Sequence, residues 1–113
     1  MTIDVLHSNE SIAKLSTEEL GQLATKWHYI GTNTRSLDRA YMNPAVKCGI
    51  AMMYINDIAT DGWVLDVTVQ DRKTHAQLSN NRLGVSTEMV QDESFARAIS
   101  AVYILAKQME CIG

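Results

Sequence analysis

Residues 92–113 read DESFARAISAVYILAKQMECIG, and the spacing within this stretch decides how the rest of the chain is read. Its large apolar residues fall at Phe95, Ile99, Val102, Leu105 and Met109, with Ala98 and Ala106 between them. Steps of three and four over four turns predict an amphipathic helix. Asp92 stands where an N-cap is wanted, and Glu93 puts negative charge where the helix dipole favours it. Arg97, Lys107 and Gln108 fall off the apolar stripe. Such a helix buries its stripe only against other elements, and these must come from the preceding ninety or so residues.

Those elements can be read in order. Ile3, Val5 and Leu6 suit a short strand or an ordered arm. Ser16-Thr17-Glu18-Glu19 is a capping-box pattern, in which the serine hydroxyl and the glutamate three residues on satisfy each other's backbone N–H groups. The helix that follows places Leu20, Leu23, Ala24, Trp27 and Ile30 on one face and ends at Gly31, with Gly21 weakening its first turn. A long polar connection, 32–42, leads to Asn43-Pro44, which reads as the cap and first position of a second helix. Val46, Ile50 and Met53 form its stripe, with Ala45, Gly49 and Met52 alongside. This helix is apolar most of the way round, so it is expected to be the more deeply buried of the two or to face a partner chain.

Asp61-Gly62 signals a turn. From Trp63 to Gln70, Trp63, Leu65, Val67 and Val69 alternate with Asp66, Thr68 and Gln70, the period of a half-buried strand. A turn at 71–74 leads to a second strand, 75–79, with Ala76 and Leu78 inward. Asn80-Asn81 is a candidate hairpin pair, since asparagine tolerates positive φ. A third strand is expected over 82–89, with Leu83 and Val85 on one face. The predicted class is α+β: two to three helices sandwiched around a small antiparallel β-sheet, with the C-terminal amphipathic helix packed on the sheet. At 113 residues, one domain is expected.

The order of these features resembles the phage ABA-sandwich, NinX-like, group of small proteins. The resemblance is carried by Leu15-Ser16-Thr17-Glu18-Glu19-Leu20, Tyr41-Met42-Asn43-Pro44-Ala45, Asp61-Gly62-Trp63 and Phe95-Ala96-Arg97-Ala98-Ile99. It implies a phage-encoded accessory protein and transfers no catalytic residue.

Composition narrows the function classes. Hydrophobic residues make up 46% and charged ones 20%, the balance of a globular chain. A net charge of -3 disfavours general nucleic-acid binding, which rests on cationic contact with phosphate. No apolar run approaches the roughly twenty residues of a membrane span, and no signal peptide is evident. The expected setting is the host cytoplasm, with Cys48 and Cys111 read as reduced, small apolar residues.

Candidate chemistry is sparse. His7, His28 and His75 lack metal-ligand spacing, and His28 reads as a polar-face residue. Asp57, Asp61 and Asp66 lie close in sequence, but Asp61 suits the turn and Asp66 the solvent face of a strand. There is no Gly-x-Ser-x-Gly elbow and no phosphate-cradling glycine loop. Neither a cofactor nor a metal is expected. The basic residues carry more: Arg35, Arg39 and Tyr41 in the long connection, Trp63 at the strand entry, and Arg72, Lys73 and His75 at a hairpin end with Arg82 nearby. Arginine beside an aromatic ring suits phosphate or planar-base recognition, although solvated surface charge is the simpler reading. Met42, Met52 and Met53 around the second helix suit core filling or a homo-oligomeric or partner face. The favoured expectation is a non-enzymatic binding protein that blunts a host defence by occupying a host protein or sequestering a small anionic nucleotide. A structural, assembly or DNA-metabolism accessory role is the alternative. An enzyme acting on a nucleotide would rely on Asp71 and His75.

Overall fold

A computed structural model describes residues 6–29 and 42–112. Along the chain run α1 (Asn9–Ala13), α2 (Thr17–His28), α3 (Cys48–Ala59), β1 (Trp63–Gln70), β2 (Lys73–Asn80), β3 (Val85–Ser86), β4 (Val90–Asp92) and α4 (Phe95–Ile112). The architecture is α+β, with the C-terminal helix packed on a small antiparallel sheet.

The helix α4 is the axis of the molecule. One side lies on β2 and β4, and the others on α1, α2 and α3. Burial therefore goes well beyond one stripe: every residue from Ala98 to Ala106 is buried. This corrects the amphipathic reading in two places. Phe95, expected on the stripe, is 37% exposed, while Gln108, expected off it, is buried. Gln108 is tolerated inside because its amide is fully used. Its Oε1 accepts the His7 N–H and its Nε2 donates to the His7 carbonyl, each at 2.8 Å, which ties the N-terminal segment to α4. The cap also moves. Asp92 belongs to β4, and Ser94 caps the helix by accepting the Arg97 N–H at 3.2 Å.

The capping box of α2 forms as expected: Glu19 N–H to Ser16 Oγ and Ser16 N–H to Glu19 Oε1 are both 3.1 Å. Gly21 has a use that propensity conceals. A Cβ there would run into the Asn43 side chain, which donates to the Thr17 carbonyl across the gap. Asn43 and Pro44 do not open α3. Asn43 caps a separate turn, its Oδ1 accepting the Ala45 N–H and its carbonyl accepting from Val46 and Lys47. Tied to α2, that turn cannot continue in line, so Lys47 is extended and the helix begins at Cys48. The buried stripe of α3 is Ala51, Tyr54, Ile55 and Ile58, whereas Val46 and Met53 are exposed. The expected stripe is thus displaced, and α3, with Ala51, Tyr54, Ile55 and Ile58 buried as against Leu20, Gly21, Ala24, Thr25 and Trp27 of α2, is not the more deeply buried of the two. Ile3, Val5, Ile30 and Gly31 lie outside the described residues.

Strand β1 has the expected bounds, and its inward residues fade from buried Trp63 to Val69 at 66% exposed. It pairs with β2 over all eight residues, Trp63 with Asn80 through Gln70 with Lys73. The hairpin turn is only Asp71-Arg72, both at positive φ (54° and 64°), so β2 starts at Lys73, two residues earlier than expected. Asn80 and Asn81 are not a tight pair. The buried Asn80 instead organises a longer turn, its Oδ1 accepting from Arg82 and Leu83 N–H and its Nδ2 donating to the Asp61 carbonyl. Gly84 takes the positive φ that closes this turn. The expected third strand is split. The pair Asn80 with Val85 and the pair Ala76 with Val90 differ by one residue in register, which marks a bulge between β3 and β4. Thr87 bridges it: its N–H donates to the Leu78 carbonyl and its hydroxyl accepts the Leu78 N–H.

Candidate functional site

Two places concentrate polar groups. The first is a surface cleft of about 530 Å³ where the Asp71-Arg72 hairpin end meets β4 and the start of α4. Ala13, Lys73, Gln91, Asp92, Glu93, Ser94 and Arg97 line it. Arg97 is already engaged through each of its three nitrogens. Nε reaches Asp92 Oδ2 at 3.0 Å, Nη1 reaches Thr17 Oγ1 at 3.0 Å, and Nη2 reaches the Leu15 carbonyl at 2.9 Å. Among the described residues, that leaves Lys73 and Glu93 as the charged side chains of the cleft without an ion pair. Two cations and two carboxylates line the space, so it has no net formal charge.

Arg72 stands at the tip of that hairpin. The turn needs two consecutive left-handed residues, where asparagine and glycine fit best. An arginine there is strained by about 1 kcal/mol, and its side chain is exposed. His75 lies on the outer sheet face between Thr68 and Gln91 in register. No hydrogen bond or ion pair joins it to Asp71 among the described residues.

The predicted ligand set is only partly brought together. Arg72, Lys73 and His75 share one end of the sheet. Trp63 is at the other end of β1, roughly 23 Å away at about 3.3 Å per residue. It is buried, with its indole N–H donating to Glu110 Oε1 at 2.6 Å, which makes it a core residue. Arg82 is also distant from the hairpin tip, lying against Gly62. Arg35, Arg39 and Tyr41 lie outside the described residues. Cys48 and Cys111 are both free and exposed, so neither serves as a small core residue.

The second place joins three helices. His28 at the end of α2 stacks on Tyr54 of α3, with ring centroids 3.9 Å apart and planes 13° from parallel. Its Nε2 lies 3.3 Å from Asp57 Oδ2, and its Nδ1 lies 3.2 Å from the Tyr103 hydroxyl on α4. Tyr54 in turn reaches Thr25 Oγ1 at 3.4 Å. Burial holds His28 below the usual histidine range, with the Asp57 carboxylate pulling weakly the other way. Burial also raises the Tyr54 and Tyr103 phenols, Tyr103 far above the usual tyrosine range. His28 is therefore no polar-face residue. No sequence spacing flags the cluster, because its members are spread over three helices. None of its residues lines the cleft, and the arrangement works as a polar knot in the packing of α2, α3 and α4. No three His, Cys, Asp or Glu side chains among the described residues are placed to hold a metal ion.

The knot has a pH signature. Folding keeps the His28 ring neutral below the pH at which the unfolded chain would protonate it. Its contribution is present in full above about pH 6.5 and is lost as pH falls from there towards the lowered folded value. The melting temperature of the native chain should drop between pH 7 and 5 more steeply than that of His28→Gln, as read by differential scanning calorimetry. Equal slopes would mean that the ring is solvated.

Among the described residues, no helix is long and apolar enough to cross a membrane. Comparison with family models, curated proteins and solved structures finds no match.

Proposed function

We propose that this is a non-enzymatic binding protein, a phage-encoded accessory factor that blunts a host defence by occupying a host protein through the hairpin tip and the adjoining cleft. One observation carries the reading: the cleft lacks net charge, its two cations being matched by two carboxylates, and its arginine is already bonded to Asp92, Thr17 and Leu15. A phosphate ligand favours convergent, uncommitted cations. A protein surface with paired charges of both signs suits Lys73 beside Glu93 better. The strained, outward Arg72 supports the same view, since backbone strain held at an exposed tip is a reason to look for a contact there. The phage setting and the counter-defence role rest on the family resemblance.

The double variant Arg72→Gly, Lys73→Glu tests it. Glycine relaxes the turn, so the fold should be kept and its stability unchanged or slightly raised. Affinity capture from host lysate should then recover a partner with the native chain and lose it, by tenfold or more in yield, with the double variant. In the competing nucleotide reading, which Lys73 alone favours, a cyclic or linear nucleotide would raise the melting temperature and Lys73→Glu would abolish the rise. No nucleotide in a thermal-shift panel is expected to do so.

A further inference from the structure

The two edges of the sheet are built differently. The β3–β4 edge is short, broken by the bulge, and covered in part by α1, whose Asn9 side chain donates to the Met89 carbonyl at 3.0 Å. The β1 edge is eight residues long and unbroken in register, with no proline, lysine, glycine or bulge. Proline, lysine and bulges are devices that keep a solitary edge from pairing, and the one charged side chain on this strand is the exposed Asp66.

The two-residue hairpin fixes which groups this edge presents. In such a hairpin the residues flanking the turn, Gln70 and Lys73, form a hydrogen-bonded pair, and the alternation then runs back along the strand. Even-numbered residues of β1 bond to β2, and Trp63, Leu65, Val67 and Val69 point their N–H and C=O groups outward. The far side of β2 agrees, since Leu78 and Asn80 bond towards β3. Among the described residues, these outward backbone groups of β1 have no hydrogen-bond partner. Val64 and Val69 on the same strand are 55% and 66% exposed.

We propose that the β1 edge pairs with the β1 edge of a second copy of this chain, antiparallel, about a two-fold axis through Val67. Charge selects the register. An axis at Asp66 would set two carboxylates directly opposite each other, which is destabilising. An axis one residue on places Asp66 opposite Thr68 of the second copy, a hydroxyl donor, and Val69 opposite Leu65, covering the exposed valine. The interface is isologous, as a closed dimer requires, and it joins the two sheets into one.

Light scattering after size-exclusion chromatography at about 100 µM should give twice the mass of the chain. Val67→Pro removes an N–H that points only to the free edge, so it should yield a folded monomer. Val69→Lys, at an exposed position, should do the same by the charge with which natural edges are blunted. With Cys48 and Cys111 changed to serine, Val67→Cys should give a disulfide-linked dimer on oxidation, because facing residues on such an axis lie within disulfide reach. A monomeric native chain, a Val69→Lys chain that remains dimeric, or a dimer that Val67→Cys does not cross-link overturns the proposal.

Discussion

Ile99→Asp should leave a chain that does not fold. Ile99 is fully buried on α4, the helix against which the sheet, α1, α2 and α3 all pack. Truncating an isoleucine at such a site costs about 2–5 kcal/mol through lost transfer energy and the cavity left behind. An aspartate there adds an unpaired carboxylate, at several kcal/mol more, or a proton taken up to avoid it. A domain of this size is stable by about 5–15 kcal/mol in all, so the two costs together take most or all of it. Val102→Asp should behave the same way, for Val102 is equally buried. The informative control is Phe95→Asp. A helix with a single buried stripe would put Phe95 in the same class as Ile99. The structure leaves it 37% exposed at the start of the helix, where a carboxylate also suits the dipole, so this variant should stay folded. Far-UV circular dichroism and a cooperative thermal melt separate the outcomes. A native-like melt from Ile99→Asp would remove α4 from the centre of the fold.

The contrast between those positions shows what the sequence could and could not disclose. Local rules were legible. The capping box at Ser16 and Glu19, the alternation from Trp63 to Gln70 and the helical spacing after Phe95 each depend on residues within a few places of one another. Periodicity ranks the faces of a helix but does not say how many faces will be covered. That is why α4 read as one stripe and proved buried nearly all round, and why the stripe of α3, apolar on most sides, was displaced. Polar residues misled most. Gln108, Asn80 and Arg97 look like solvent-facing residues in the sequence. Each is held inside by partners far away in the chain, namely His7, Asp61 and Leu15. The same holds for the candidate site. Lys73 and Arg72 were found from local charge, but their separation from Trp63 follows from strand length, and the His28, Tyr54, Asp57 and Tyr103 knot exists only once three helices have met.

Arg97 shows how much one such residue can hold. Its guanidinium joins α4 to Asp92 of β4, to Thr17 at the start of α2 and to the Leu15 carbonyl between α1 and α2. The Asp92 and Arg97 side chains are only 19% and 15% exposed, so this pair sits largely out of water. Removing Arg97 leaves Asp92 its desolvation cost with only the Ser94 N–H donating to its Oδ1 at 2.9 Å, and breaking a buried pair in this way costs about 3–5 kcal/mol. Arg97→Ala should therefore lower stability by about 3 kcal/mol, read as a shift in the urea midpoint at unchanged slope. Arg97→Lys should recover about 1 kcal/mol at most. An ammonium can approach Asp92, but it cannot reach three acceptors set in the plane of a guanidinium fork. The loss should also be localised. Without the Leu15 and Thr17 bonds, amide hydrogens of α1 and the first turn of α2 should exchange faster than those at the centre of α4, even in the folded state. If Arg97→Lys restores full stability, the residue acts as a simple charge. If Arg97→Ala costs less than about 0.5 kcal/mol, within the range of an exposed pair, the three-way junction holds nothing together.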